Sequence, residues 1–345
     1  MRIATYNVEW FEDLFDKHNN LLLDRNWSRR YDVKRVDQAT AIADVIRRVD
    51  ADIMLIVEAP NTGRTQNTVK ALEKFTKHFG LRQKAAAMGY ANDTHQELAV
   101  IYDPFAVSVS HDPQGVISNG SKSAQAPRFD GKFRYDVDID GKDEVFEFSK
   151  PPIELAVEHL ASSQRFRMIG VHPKSKSTYG ASTEKEEIAL SIKSRRKQLA
   201  QCIWIRQRAN EHLENGDPLI ILGDFNDGPG FPGCKQMFAH SGVEIVLGYD
   251  SPTADKFVEP HAELMRDTDQ AWTLSTSRFY ISEHHRYQSA LLDYVMLSQD
   301  LYKATKAEWR IWHPFDDPEC FKDREMREAL LAASDHFPVS VDLNF

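Results

Sequence analysis

The chain is poor in cysteine. Only Cys202, Cys234 and Cys320 occur in 345 residues, far apart and without a CxxC pair, so neither a disulfide framework nor a zinc ribbon is indicated. The three read as buried thiols. Long apolar runs are missing as well. No stretch reaches the length that spans a bilayer, and Met1 to Trp10 reads as a strand rather than as a basic start followed by an apolar secretory core. A cytoplasmic protein is the expectation. Positive charge is in deficit, with 43 Lys and Arg against 52 Asp and Glu and a formal charge of -9. That balance argues against a surface that clings everywhere to nucleic acid, while leaving room for a local basic strip. Internal repeats, low-complexity tracts and clear linkers are also lacking, so 1–345 is read as one domain with insertions near 11–33, 111–150 and 250–289.

What the chain does have is a recurring set of apolar, β-branched runs: RIATYNV, DIMLIVE, LAVIYD, FRMIGVH, PLIILGDFN, LLDYVMLS and FPVSVDL. Runs of this kind form buried strands. Between the first two, Val36, Ala39, Ala43 and Ile46 share a helical face. A longer helix follows His172, with Ile188, Ile192, Leu199 and Ile203 on one face and Thr183 and Glu186 spaced as a capping box. The period switches repeatedly between strand and helix, which predicts α/β layering.

Polar residues fall at the ends of these strands. Asn7 and Glu9 end the first, Glu58 the second, His172 the fourth, and Asp224 and Asn226 the fifth, while Asp335 and His336 precede the last. Ligand sites of layered α/β proteins form at such ends. Singly, each residue would read as a turn or cap. Jointly they offer the chemistry of phosphoester hydrolysis, which needs an activated water and neutralised phosphoryl charge. Asn7 and Glu58, with Glu9 or Asp335 as a further ligand, suit magnesium, which prefers carboxylate and amide oxygens, and manganese is the expected substitute. Asp224 can accept the proton of the attacking water or orient that water, Asn226 can hold that carboxylate or the phosphate, and His172 and His336 can donate to phosphoryl oxygens. Elsewhere, KSRRKQ at 193–198 reads as a solvated helix face, His284 and His285 as a polar loop, and Trp272 and Tyr280 as packing residues.

TYNVE at the start, IVE at 56–58, GVHPKSKS at 170–177, LGDFND at 222–227, LLDYVMLS at 291–298 and SDHFPV at 334–339 resemble, in order, the motifs of the endonuclease/exonuclease/phosphatase superfamily. Pancreatic deoxyribonuclease, abasic-site endonucleases, bacterial sphingomyelinases and inositol-polyphosphate phosphatases belong to it. The resemblance implies a four-layer α/β/β/α sandwich, with two packed mixed sheets flanked by helices. It also implies metal binding at Asn7 and Glu58 with Asp335 in the metal environment, positioning of the nucleophile by Asp224 and Asn226, and a His336 oriented by Asp293. Looser matches place Glu97 behind His172 as a second His–carboxylate pair and Lys150 where deoxyribonucleases carry an arginine. A lysine there gives a point charge instead of a fork. Lys150 and Lys174 are the candidate substrate contacts. The expected activity is magnesium-dependent hydrolysis of phosphodiesters in nucleic acid. A small-molecule or lipid head-group phosphoester is the alternative substrate, and an inactive binding protein on the same fold is the minor one.

Overall fold

The computed structural model describes residues 1–92, 94, 96–176, 183–229, 240–267, 274–281 and 285–345. Its strands, in chain order, are β1 (Arg2–Asn7), β2 (Ile53–Ala59), β3 (Ala85–Met88), β4 (Glu97–Tyr102), β5 (Val107–His111), β6 (Phe133–Tyr135), β7 (Glu144–Phe146), β8 (Ile153–His159), β9 (Gln164–Val171), β10 (Leu219–Asp224), β11 (Ser277–Ile281), β12 (Arg286–Ala290), β13 (Asp293–Leu297), β14 (Glu308–Ile311) and β15 (Val339–Asp342). Six of them form a sheet in the order β14-β15-β1-β2-β4-β3, and five form a second in the order β13-β10-β9-β8-β5. Each large sheet is mixed. β1 and β2 run parallel in one, β9 and β10 in the other, and their remaining pairs are antiparallel.

A parallel pair needs a crossover, usually a helix. Helix α1 (Arg35–Val49) supplies the first and α3 (Glu184–Glu214) the second; α2 (Thr68–His78) lies between β2 and β3. Side chains alternate between the two faces of each strand, and with two sheets they sort into three apolar layers. Ile3 of β1, Ile53, Leu55 and Val57 of β2, and Ile220 and Leu222 of β10 fill the layer between the sheets. Ala4, Tyr6, Met54 and Ile56 face outward onto α1, α2 and the helix Arg324–Ala333. On the other side, Ile221, Tyr294 and Met296 meet Trp204 and Ile205 of α3. The architecture is therefore a four-layer α/β/β/α sandwich. No helix among the described residues is long and apolar enough to cross a membrane.

Local rules account for the helix ends. The Thr183 side chain accepts from the Glu186 backbone N–H, and α1 stops at Asp50 in the left-handed region. Ala39, Ala43 and Ile46 are buried as their spacing predicts. The expectation for α3 needs correction, because Leu199 is buried but Ile188 and Ile192 are exposed. At 31 residues the helix runs about 46 Å, whereas β10 beneath it, with six residues, runs about 20 Å. Its first turns outlast the sheet they would pack on.

The segment 250–289, expected to be loop, also differs. It contains the helix Pro260–Asp267 and the hairpin β11–β12. β12, with the sequence RYQSA, is mostly exposed and carries no apolar alternation for a sequence pattern to detect. Cys202 and Cys320 are buried and free, while Cys234, Trp272 and His284 lie outside the described residues.

Candidate active site

The ends of β1, β2, β9, β10 and β13 converge where the two sheets meet. Asn7 closes β1 and donates from Nδ2 to Asp224 Oδ2 at 3.0 Å, joining the sheets through their buried polar tips. Asp224 sits at the end of β10, directly opposite Asp293, the first residue of β13. Its other carboxylate oxygen accepts the Asn226 backbone N–H at 2.7 Å, an Asx turn that holds Asn226 at positive φ. The Asn226 side chain is directed to the Pro173 carbonyl, so it pins the loop after His172. Gly223 precedes Asp224 at φ 140, and a Cβ there would lie 2.1 Å from the Val171 carbonyl oxygen. Only glycine allows β10 to pass so close to β9.

Two imidazoles flank Asp224. His172 Nε2 lies 3.6 Å and His336 Nε2 3.9 Å from Asp224 Oδ2. His336 Nδ1 is 2.8 Å from Asp293 Oδ2, the same oxygen that accepts from Thr276 Oγ1 at 2.7 Å. The ring of Phe279 meets His336 edge-on at 5.3 Å. Burial opposes charge on His336, but Asp293, Asp224 and Asp335 outweigh it and raise its pKa well above the ordinary histidine value. His172 has the opposite environment. Burial lowers its pKa well below the ordinary value, with Lys150, His336 and Lys174 acting in the same direction. Burial pushes Asp224 up to about 7, opposed by His336 and by the hydrogen bonds from Asn226 and Asn7.

Glu58 reaches the centre through an irregularity in β2. The register between β2 and β4 shifts between Val57 and Ala59, leaving Glu58 as the extra residue at φ 61. A β-bulge of this kind redirects a side chain. Gln96 Nε2 donates to Glu58 Oε2 at 2.7 Å, and Lys150 Nζ stands 3.9 Å from Glu58 Oε1. Burial raises the Glu58 pKa, against the pull of Lys150 and His336.

The structure thus brings Asn7, Glu58, His172, Asp224, Asn226, Asp293, His336 and Lys150 together, with the half-buried Asp335 beside His336. It separates Glu97 from His172, correcting that expected pair. The Glu97 carboxylate accepts from the Thr62 backbone N–H at 3.1 Å and from Asn92 Nδ2 at 2.6 Å, and burial among neutral donors pushes it up to about 7. The partner of His172 Nδ1 is Lys150 Nζ at 3.2 Å, itself held by Gln96 Oε1 at 2.6 Å. Glu9 is also engaged elsewhere, ion-paired with Arg30. Lys174 lies just past His172 with its Nζ 3.4 Å from Ser175 Oγ.

Gln96, Arg30, Thr276 and Phe279 escaped the sequence reading. Gln96 alone had a signal, as the neighbour of Glu97 at a strand start. The basic stretch at 193–198 is not a simple solvated face either. Arg195 is buried against Asp227, and Arg196 pairs with Asp138 and Glu144.

Whether the centre suits a divalent cation is decided by its free oxygens. Asn7 Oδ1 is buried without a hydrogen-bond partner, a costly state for an amide oxygen unless a donor or cation meets it. With Glu58 and Asp335 it makes a hard, oxygen-rich set of the kind magnesium or manganese takes. Asp224, Asp293 and His336 also approach within 4.8 Å of one another. There, however, Asp293 Oδ2 and His336 Nδ1 are already bonded to each other, so that trio is better described as a charge pair beside a carboxylate. A second carboxylate group, Asp136, Asp138 and Asp140, lies in the turn of the β6–β7 hairpin and accepts backbone N–H groups of its own turn.

The chain matches the model of the endonuclease/exonuclease/phosphatase family over residues 4–336. Among curated proteins none matches its sequence significantly. Solved structures share its fold at low identity. A mannosyl-6-phosphatase of Bacteroides thetaiotaomicron is 14% identical, with 100% of each chain covered and a TM-score of 0.50. The human nocturnin catalytic domain with bound sulfate is 14% identical, covering 100% of this chain and 94% of that one, at 0.50. The TDP2 of D. rerio in complex with single-strand DNA product is 13% identical, covering 100% and 99%, at 0.51.

Proposed function

The chain belongs to the endonuclease/exonuclease/phosphatase family, whose members are divalent-metal-dependent phosphoester hydrolases, and on that premise we propose that it is a magnesium-dependent phosphodiesterase acting on nucleic acid. Asn7, Glu58 and Asp335 would hold the cation. When bound, it supplies Lewis-acid neutralisation of phosphoryl charge. Glu9, with Arg30 on its carboxylate, is left to support this group rather than to join it.

The protein's own groups divide the remaining work. Asp224, raised towards neutrality by burial, accepts the proton of the attacking water, with Asn7 Nδ2 and the Asn226 N–H each holding one of its oxygens and so fixing the orientation of the carboxylate. His336, charged because Asp293 stands behind it, donates from Nε2 to a phosphoryl oxygen. His172 stays neutral. The Lys150 ammonium donates to its Nδ1, which leaves the ring proton on Nε2, towards Asp224 and the phosphate.

The observation that carries the choice of a diester is the modest positive charge of the centre. Apart from the divalent cation, which three acceptor side chains would already offset, Lys150 and the His336 imidazolium are its side-chain cations, and among the described residues no guanidinium is hydrogen-bonded to Asp224, Glu58 or either imidazole. A diester carries one negative charge and a terminal monoester up to two. The single charge is the better match to so few cations. A small phosphoester or lipid head group is the second reading, favoured by the formal charge of -9.

Parallel assays with single-stranded DNA, plasmid DNA, RNA, sugar phosphates, phosphoinositides and sphingomyelin, each with magnesium and with chelator, test the proposal. Cleavage of a nucleic acid that chelator abolishes is expected, with Glu58→Gln needing more magnesium for half-maximal rate. Turnover confined to monoesters would overturn the diester reading, and full activity in chelator would overturn the metal assignment.

A further inference from the structure

The first turns of α3 border surface features that the catalytic chemistry leaves unused. A groove of about 640 Å³ beside the centre is lined by Asn92, Ser118, Asn119 and Lys197 and by Ser149 and Pro151, which flank Lys150. At Lys197 and Glu147 it continues into a depression of about 580 Å³ lined by Val145, Ile192 and Lys193. Together they form one path leading away from the two imidazoles.

Lys197 lines both parts of that path and Lys193 the depression, while Lys174 stands outside the lining, close to His172. Lys174, Lys197 and Lys193 have no carboxylate within 4.0 Å among the described residues, whereas Lys122, Lys132 and Arg196 nearby are all ion-paired. Among the described residues Lys197 Nζ reaches a neutral partner, Ser149 Oγ at 3.1 Å, and Lys174 Nζ reaches Ser175 Oγ. Their mutual repulsion fixes the order. Lys174 disfavours charge on Lys150 and His172 on one side and on Lys197 on the other, while Lys193 acts on Lys197 from one helical turn away. In a chain with excess acid, a run of unpaired ammonium groups starting at a phosphate-handling centre needs anions to offset it. A polymer with regularly spaced phosphates supplies them.

We propose that this groove seats the backbone of a single nucleic-acid strand on one side of the scissile phosphate, with Lys174, Lys197 and Lys193 meeting successive phosphates and Asn92 and Asn119 offering hydrogen bonds to sugars or bases. The inference rests on the phosphodiesterase reading and deepens it. An anionic membrane surface suits the same lysines less well, because the neighbouring hairpin turn carries Asp138 and Asp140 exposed to the solvent it would approach.

The test compares the full chain with Lys193→Gln/Lys197→Gln on a short single-stranded oligonucleotide and on bis(p-nitrophenyl) phosphate, which has no further phosphate to place in the groove. The ratio of kcat/KM for the strand to that for the small diester is expected to fall about tenfold, through KM. In an Asp224→Asn background, fluorescence anisotropy of the labelled oligonucleotide should show a salt slope shallower by about 0.7 for each of the two lost contacts. An equal effect on both substrates, or an unchanged salt slope, overturns the proposal. So does lysine-dependent binding to vesicles of anionic phospholipid without binding to the oligonucleotide. Lysine-dependent strand binding by a wild-type chain that cleaves neither substrate upholds the groove and refutes the phosphodiesterase reading.

Discussion

At His172 the sign of the neighbouring charge decides the role. A carboxylate behind the ring would favour the imidazolium, as Asp293 does for His336, whereas Lys150 favours the neutral ring with its proton on Nε2. Mutational cycles separate the two arrangements. His336→Ala and Asp293→Ala should each lower kcat by about 10²-fold or more, and together cost little beyond the larger single effect. His172→Ala with Lys150→Ala should be non-additive in the same way. His172→Ala with Glu97→Ala should add in log rate, because Glu97 bonds to Thr62 and Asn92 instead. Strong coupling in that last cycle would restore the carboxylate partner. Here the sequence was legible in part. It marked His172, Asp224 and His336 because polar residues fell at the ends of apolar runs, and Asp293 through the family resemblance, but it could not say which loop side chain reaches which ring. Lys150 stands 22 residues from His172, and the contact is made only when the segment entering β8 folds beside the end of β9.

At the scale of the element, β2 and β10 each carry a departure from regular geometry that makes the centre possible. In β2 the bulge turns Glu58 towards the centre, and at the end of β10 glycine permits the close pass over Val171. Gly223→Ala should therefore destabilise the fold by about 2–4 kcal/mol, since backbone must move to admit the methyl. Gly80→Ala is the control. That residue also has positive φ, at 62°, but its added Cβ would meet nothing within 4 Å, so it should cost only about 1–2 kcal/mol. Urea unfolding of both variants checks the contrast, and equal losses would refute the steric account. Seven buried strands were legible from their apolar, β-branched runs, but β8, whose Ile153, Leu155 and Val157 are buried, was not. The exposed β12 was not, and with it went Thr276 and Phe279, whose hairpin braces Asp293 and His336. The exposure of Ile188 and Ile192 was equally hidden, because helical periodicity reports a shared face but not whether a sheet lies beneath it.

In the whole molecule, the centre is divided between the two sheets. Asn7 and Glu58 ride on the six-stranded sheet, with Asp335 and His336 leading into its strand β15, while His172, Asp224 and Asn226 belong to the end of the five-stranded sheet. The four-layer order was legible because α/β alternation and six ordered motifs pointed to it together. The strand order was not, since nothing local tells β1 that its antiparallel neighbour lies more than three hundred residues away, with Thr5 opposite Val339 and Arg2 opposite Asp342.

That pairing has a consequence during synthesis on the ribosome. β1 emerges first yet must wait for β15 to fill the gap between itself and β14, so for most of translation one of its edges lacks its native partner. Nascent chains stalled before residue 334 should leave the N-terminal segment open to brief protease treatment and show no turnover, whereas chains released after β15 should gain both protection and activity at once. Protection of β1 in the shorter chains would show that the first strand finds shelter earlier than its native neighbours allow.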